Sequence, residues 1–145
     1  MDHLVKVFDF NNNILGVIIR RDYSINGIEF FSDPSDSQQI GLMNRPKGYK
    51  IQPHCHNLIT REINLTQEVL FIKNGKVRVD FYSSDQNYIK SSILYSGDVV
   101  LLSNGGHGFE ILEESTIFEV KQGPYSEEID KVRFNSVNEN KIIYF

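Results

Sequence analysis

Two histidines separated by one residue, His54 and His56, are the residues of this sequence best suited to chemistry. Residues two apart on a β-strand point to the same side, so a strand here would present both imidazoles together. Neutral imidazole is a good ligand for divalent transition metals. The pair is therefore either half of a metal site or two solvated side chains on an ordinary strand, and the residues placed opposite it decide between these readings.

A carboxylate and a third imidazole occur later in the chain, each alternating with apolar residues. Glu68 alternates with Leu70 and Ile72 along one predicted strand, and His107 alternates with Phe109 along another. If the apolar residues face the interior of a barrel, Glu68 and His107 face it as well. Three imidazoles and one carboxylate then converge, and this ligand set suits Fe, Mn, Ni, Zn or Co.

The elements that must position these residues are predicted to be strands. The chain contains no alanine, and Ile, Val, Phe and Tyr fill its apolar positions, which disfavours helices. Short strands separated by turn residues predict an all-β sandwich or barrel, and a double-sheet jelly roll closes most readily at this length. The predicted strands are 14–19, 27–31, 38–43, 49–56, 68–72, 77–82, 88–95, 97–102, 106–112 and 116–122.

Local signals add detail to this pattern. Asn74-Gly75, between two alternating runs, predicts a hairpin. A helical turn is expected after Pro124. No linker, repeat or low-complexity segment interrupts the sequence, which predicts a single domain over 1–145.

Bulk composition limits the functional classes. A chain of 145 residues with 40% hydrophobic and 23% charged residues is typical of a soluble globular protein. No apolar run approaches the roughly 20 residues that cross a bilayer, so we expect neither a membrane span nor a signal peptide. Cys55 is the only cysteine, which fits a reducing, cytoplasmic location. The net charge is −4 without a dense Lys or Arg block, which argues against a nucleic-acid partner.

The spacing around the histidine pair resembles the first motif of the cupin superfamily. Five residues separate Gly48 from His54, and six separate Glu68 from Gly75, as in that motif. Eleven residues lie between His56 and Glu68, where the motif has three or four. The segment 57–67 therefore resembles an insertion, and Gln67 is an alternative to Glu68 as a ligand. The second cupin motif is matched in part by the run from Gly97 to His107.

A second resemblance lies downstream. The run IFEVKQGPYSEEIDKVRF, residues 117–134, resembles the ending of the WbuC-like cupins, which are encoded among O-antigen and capsule biosynthesis genes. Together the two resemblances cover about residues 40–134. They imply a cupin double-stranded β-helix, a jelly-roll barrel with a bound metal. They also imply a carbohydrate ligand, a sugar or nucleotide-sugar, that is isomerised or epimerised. Since cupin barrels often pair through edge strands, the resemblance further implies that strand 14–19 could lie at an edge and pair two copies into a homodimer.

Six further residues are candidates for contact with the ligand. Proton transfer is assigned to Glu119, Lys121 and Tyr125. Substrate binding is assigned to Lys50 and Gln52, on the predicted histidine face, and to Arg61 in the insertion, whose planar guanidinium suits a phosphate or carboxylate.

Plainer readings of some of these six are a surface ion pair for Glu119 and Lys121, packing for Tyr125 and an exposed loop residue for Arg61. Whether the protein is an enzyme stays open. An iron-dependent dioxygenase, a non-catalytic sugar-binding cupin and a metal-free sugar isomerase are the alternatives.

Overall fold

The protein is all-β, as predicted, with 44% of its residues in strands and 4% in helices. The computed structural model describes residues 2–145, apart from the side chains of residues 127 and 128. Two compact units are present. The sheet unit comprises the chain up to Tyr23 together with Thr66–Phe145, and the hairpin unit is Ser24–Leu65. The expectation of a single domain stays a prediction.

Regular structure follows the chain in this order: β1 (Leu4–Phe8), β2 (Ile14–Ile19), β3 (Gly27–Phe30), β4 (Gly41–Asn44), β5 (Glu68–Tyr82), β6 (Tyr88–Tyr95), β7 (Val99–Leu102), β8 (Gly106–Lys121), α1 (Glu127–Asp130) and a 3₁₀ helix (Glu139–Lys141). In the sheet unit six strands form one antiparallel sheet in the order β1-β2-β7-β5-β6, with β8 paired to β5. The strand β5 is central, because β7 pairs with its first half, β6 with its second half, and β8 with both.

The hairpin predicted at Asn74-Gly75 is wrong, because β5 runs through it as one strand. A two-residue hairpin of that sequence needs positive φ at both turn residues, and only Gly75, at φ 99°, has it. The strand bends there instead, with register shifts against β8 on either side. Hydroxyl groups of neighbouring strands satisfy the backbone at the bend. Ser96 Oγ accepts from the Gly75 amide at 3.0 Å and Ser115 Oγ from the Lys76 amide at 3.1 Å.

The two ends of β5 lie close together because the sheet curls. Leu102, the last residue of β7, pairs with Glu68, and Gly106, the first residue of β8, pairs with Tyr82. In a flat strand Glu68 and Tyr82 would be about 45 Å apart, at about 3.3 Å per residue. The link from Leu102 to Gly106 spans at most about 14 Å. The sheet is accordingly a curled antiparallel half-barrel, which is compatible with a β-barrel.

The core of the sheet unit lies on the concave side of this curl, which we call the inner face. Alternate residues of β5 are buried there with apolar residues of the other strands. Burial of such side chains contributes about 1.5–3 kcal/mol each, and it fixes which face of β5 points inward. The buried cluster is Val7, Leu15, Ile18, Leu70, Ile72, Val77, Val79, Phe81, Leu94, Val100 and Leu102.

A buried ion pair joins β2 to the turn between β6 and β7. Arg20 Nη1 donates to Asp98 Oδ2 at 2.8 Å and to the Ile93 carbonyl at 2.7 Å, and Nη2 donates to Ser92 Oγ at 3.0 Å. Asp98 also accepts from the Tyr95 amide at 2.9 Å. Because a buried charge without a partner is costly, these bonds fix the position of β7 beside β2.

On the face of β5 opposite the core, Arg78 binds the C-terminal segment. Its guanidinium donates to Asp80 at 2.9 and 3.1 Å and to Glu139 at 2.9 and 3.0 Å, and it lies 2.6 Å from Glu110. Ser91 donates a further hydrogen bond to Asp80. Burial lowers the pKa of Arg78, but the bonds to Glu139 and Asp80 outweigh it and raise that pKa overall. The 3₁₀ helix that contains Glu139 is thereby attached to the outside of the sheet.

In the hairpin unit β3 and β4 form a two-stranded antiparallel sheet. The strand predicted at 49–56 is absent, and residues 45–65 form no regular secondary structure. Among the remaining strand predictions, 27–31 and 88–95 agree with β3 and β6. The separate strands 106–112 and 116–122 are the single strand β8.

Three other predictions concern edges and helices. The helical turn expected after Pro124 is confirmed as α1. The segment 14–19 is confirmed as β2, but it is not an edge strand, because β1 and β7 pair with its two sides. The homodimer itself stays a prediction. No helix within residues 2–145 is long and apolar enough to span a membrane.

The bend at Gly75 gives a test of the fold. A Cβ at this position would collide with Ser115 and with the Glu114 carbonyl, in addition to the strain of positive φ. Gly75→Ala should therefore lower the free energy of unfolding by about 2–5 kcal/mol, measured by urea denaturation. Gly108→Ala is the control, since its Cβ would meet only Tyr82 Cε2 at 3.9 Å. A Gly75→Ala protein as stable as Gly108→Ala would contradict the bend.

Candidate functional site

A glutamate and a histidine from opposite ends of the β5/β8 pair are in direct contact. Glu68 is the first residue of β5, and His107 lies in the second position of β8, paired with Phe81 near the other end of β5. Their side chains nevertheless meet, with His107 Nε2 3.0 Å from Glu68 Oε2. The curl of the sheet is what brings them together. Side-chain exposure is 13% for Glu68 and 30% for His107, so the pair is sheltered without being sealed from solvent.

Both residues of this pair are on the inner face, as their alternation with apolar residues predicts. Glu68 has the same parity as Leu70 and Ile72, which are in the core cluster. His107 is paired with Phe81, which is fully buried in that cluster, and directly paired residues share a face. The pair is thus two polar side chains at the margin of an apolar core.

The electrostatics of the pair favour an ionised glutamate. A hydrogen bond from His107 lowers the pKa of Glu68, and burial opposes it by disfavouring the charged form. Electrostatic interactions with His107, Lys121 and Lys131 lower the pKa of Glu68 further. Since an ionised carboxylate only accepts hydrogen bonds, the Nε2–H of His107 is the donor in this contact.

The three residues predicted for proton transfer lie at the end of β8. Lys121 pairs with Glu68 and Glu119 pairs with Leu70, so both are on the inner face beside the Glu68–His107 pair. Lys121 Nζ lies 3.7 Å from Glu119 Oε1 and 4.8 Å from the centre of the Tyr125 ring. The structure therefore groups Glu119, Lys121 and Tyr125. Their roles in proton transfer stay predictions.

Gln67, the alternative ligand, is bound differently from Glu68. Its side chain is buried, and Nε2 donates to Ser103 Oγ at 3.1 Å. Its backbone amide donates to Gln122 Oε1 at 2.6 Å. These bonds join Gln67, just before β5, to the link between β7 and β8 and to the residue that follows β8. Gln67 thus stabilises the curled sheet, whereas the Glu68 carboxylate contacts His107.

The two histidines of the H-x-H pair are neighbours in the hairpin unit without a strand to align them. Their ring centroids are 5.3 Å apart with planes at 78°. His54 Nδ1 is 2.9 Å from the Gln52 carbonyl oxygen, which can only accept. The proton of a neutral His54 ring is therefore on Nδ1, and its Nε2 keeps a free lone pair. A backbone carbonyl that fixes the tautomer in this way is common behind metal-binding histidines.

The predicted substrate-binding residues are all exposed in the hairpin unit. The argument that placed Lys50 and Gln52 on the histidine face is wrong, because it assumed a strand at 49–56. Arg61 is exposed in the irregular segment 57–67, which agrees with its plainer reading as a loop residue. Their contact with a ligand stays a prediction.

The donor atoms of the pair fit a shared metal ion. Around an ion with bonds of about 2.1 Å, two ligands at a right angle are about 3.0 Å apart, which is the separation of His107 Nε2 and Glu68 Oε2. Within either unit taken by itself, the described residues contain no group of three or more His, Cys, Asp or Glu side chains that could hold a metal. The set His54, His56, Glu68 and His107 draws on both units, and it stays a prediction.

One charged residue near the site was not singled out from the sequence. Lys131 follows α1, and its charge lowers the pKa of Glu68. The only sequence signal for it was its place in the GPY-containing ending, which gave no reason to place it near residue 68.

Comparisons of the chain with protein-family models, with curated proteins and with solved structures found no match.

The lowered pKa of Glu68 predicts a loss of stability in acid. A carboxyl with a lower pKa in the folded state stabilises the fold above its ordinary pKa of 4.5, and this contribution disappears as pH falls through the folded value. Between about pH 6 and pH 3, the melting temperature of the chelated protein should fall by about 2–4 °C more than that of Glu68→Gln.

Glu113→Gln provides the control, since Glu113 is an exposed β8 carboxylate only 3.9 Å from Lys76. It should follow the wild-type acid profile. Parallel profiles for wild type and Glu68→Gln would show that Glu68 has no stabilising partner in the fold.

Proposed function

We propose that this protein is a metal-binding cupin that acts on a small molecule, a sugar or nucleotide-sugar of surface polysaccharide biosynthesis, as an isomerase or epimerase. The observation that supports it best is the contact between Glu68 and His107. Two types of metal ligand from opposite ends of one curled strand pair are 3.0 Å apart on the inner face. The cupin-like spacing of Gly48, His54 and Glu68 supports the same assignment.

In this proposal His54, His56, Glu68 and His107 hold one divalent ion, Fe, Mn, Ni, Zn or Co. Such an ion polarises a carbonyl or stabilises negative charge on a ligand oxygen. Glu68 is the carboxylate ligand rather than Gln67, because the Gln67 amide is bound to Ser103 and the Glu68 carboxylate reaches His107. The ligands hold the ion and orient the small molecule beside the core margin.

In this proposal Glu119, Lys121 and Tyr125 supply proton transfer. Isomerisation next to a carbonyl requires a group that removes a proton from carbon and one that returns it. Glu119 and Lys121 carry a carboxylate and an ammonium 3.7 Å apart, and Tyr125 carries a phenol beside them. Lys121 pairs with Glu68, Glu119 is the next inward residue of β8 and Tyr125 contacts Lys121, so a carbonyl compound bound at the Glu68–His107 pair would meet them.

A second candidate function is the same chemistry without a metal. It is favoured by the direct hydrogen bond between His107 and Glu68, because a carboxylate that orients an imidazole is a common acid–base arrangement. The two candidates differ in one result. After exhaustive chelation, solvent deuterium should still enter the carbon next to the carbonyl of a turned-over sugar only if the metal is dispensable.

Elemental analysis tests the metal site. The purified protein should carry about one divalent transition-metal ion per chain, bound by neutral imidazole and ionised carboxylate. His54→Ala, His56→Ala, Glu68→Gln and His107→Ala should each lose most of it. The chelated wild type should stay folded, with a lower melting temperature that metal restores, because the ion binds the native state preferentially.

The chain has four histidines, and the fourth provides a matched control. His3→Ala removes an exposed imidazole outside the proposed ligand set, so it should keep the full metal content. A His54→Ala protein with as much metal as His3→Ala would contradict the ligand assignment. A chelated wild type that unfolds at room temperature would show that the ion is structural.

A further inference from the structure

We propose that Lys121 binds the anionic group, a carboxylate or a phosphate, of a small-molecule ligand held beside Glu68 and His107. The inference rests on the proposed function for the position of the ligand. It moves Lys121 from proton transfer to anion binding, and it adds the chemical class of that ligand, an acidic or phosphorylated sugar rather than a neutral one.

The position of Lys121 is fixed by the pairing of β5 with β8. It is directly opposite Glu68, and the next inward residue, Glu119, is opposite the buried Leu70. The Lys121 side chain is 22% exposed. It therefore runs along the margin of the core, next to the proposed reacting centre, rather than out into solvent.

The ammonium group of Lys121 has no strong acceptor among the residues that the structure describes. Its ion-pair partner, Glu119 Oε1, is 3.7 Å away, beyond the usual 2.7–3.2 Å of an N–H···O hydrogen bond. The Tyr125 ring at 4.8 Å offers a cation–π contact but no oxygen acceptor at that distance. Glu68, directly opposite in the ladder, forms no ion pair with Lys121 within 4.0 Å, and its closest described partner is His107. Three N–H donors on a sheltered cation are thus available to a ligand, and charge-assisted bonds to an oxyanion are the strongest that an ammonium makes.

Glu119 is the negative group that an incoming anion must displace from Lys121. Its side chain is 47% exposed, so it has room to turn toward solvent. The two residues should therefore have opposite effects on anion binding. Removal of the Lys121 charge should weaken it, and removal of the Glu119 charge should strengthen it.

Lys76 is a matched control for Lys121. It is also a β5/β8 lysine beside a glutamate and a tyrosine, with Nζ 3.9 Å from Glu113 Oε1 and 5.8 Å from the Tyr95 ring. It lies at the bend next to Gly75 instead of at the Glu68–His107 pair. An effect of positive charge or of cation–π packing in general would be common to both lysines, whereas ligand binding would involve Lys121 alone.

The test compares three sugars of one skeleton, glucose, glucuronate and glucose 6-phosphate, by isothermal titration calorimetry on the metal-loaded and the chelated protein. At least one charged sugar should bind about tenfold to a hundredfold more tightly than glucose, which identifies the anion as carboxylate or phosphate. Lys121→Met should reduce this preference to about onefold, and Lys121→Arg should keep most of it. Glu119→Gln should increase it, and Lys76→Met should leave it unchanged.

Equal binding of the three sugars, or an unchanged preference in Lys121→Met, would overturn the inference. So would a preference that exists only in the metal-loaded protein and disappears in His107→Ala, since the ion would then hold the anion. Metal content measured on the same Lys121→Met sample should equal that of wild type. If the wild type takes up no metal on loading but still prefers a charged sugar, the proposed metal site is rejected and the role of Lys121 is supported.

Discussion

The strand β5 pairs with β8 along its whole length. Its two ends can lie close together only if it bends, and it bends at Gly75. The bend needs a residue without a side chain, because both the positive φ and the approach of Ser115 exclude a Cβ. It also needs acceptors for the amides that leave the regular ladder, which Ser96 and Ser115 provide. The contact between Glu68 and His107 depends on this curvature, since the two residues belong to opposite ends of the β5/β8 ladder.

Charged side chains of the curled sheet differ in how tightly they are paired. On the outside, Arg78 is enclosed by Asp80, Glu110 and Glu139 in close hydrogen-bond and ion-pair contacts, an arrangement that fixes the C-terminal segment and leaves no free donor of consequence. At the inner margin, Lys121 and Glu119 are paired more loosely, 3.7 Å apart. Tight pairing stabilises a fold, whereas loose pairing at the margin of an apolar core leaves groups that a ligand can recruit.

The sequence predicted the class of the fold and the inward direction of Glu68, because alternation with Leu70 and Ile72 is a local signal that core burial enforces. It failed at Asn74-Gly75, where the choice between a hairpin and a bend depends on β8, a partner more than 30 residues further along the chain. It failed again at 49–56, since strand-like composition does not supply a pairing partner. The nearness of Lys131 to Glu68 was likewise beyond local pattern, because it results from closure of the sheet and not from spacing. Features that depend on residues close in the sequence were predictable. Features that depend on pairing with a distant strand were not.

The continuous β5/β8 ladder also sets an order of events during folding. The β5–β6 connection is short, with Ser83 and Asn87 bonded across the turn, so these strands can pair early at a small cost in chain entropy. Pairing of Glu68 with Lys121 closes a loop of more than 50 residues and is entropically far more expensive. The site is therefore assembled from contacts of much higher sequence separation than those of the β5–β6 pairing. Hydrogen-exchange signals from the Glu68–His107 region would report a later stage of folding than the pairing of β5 with β6.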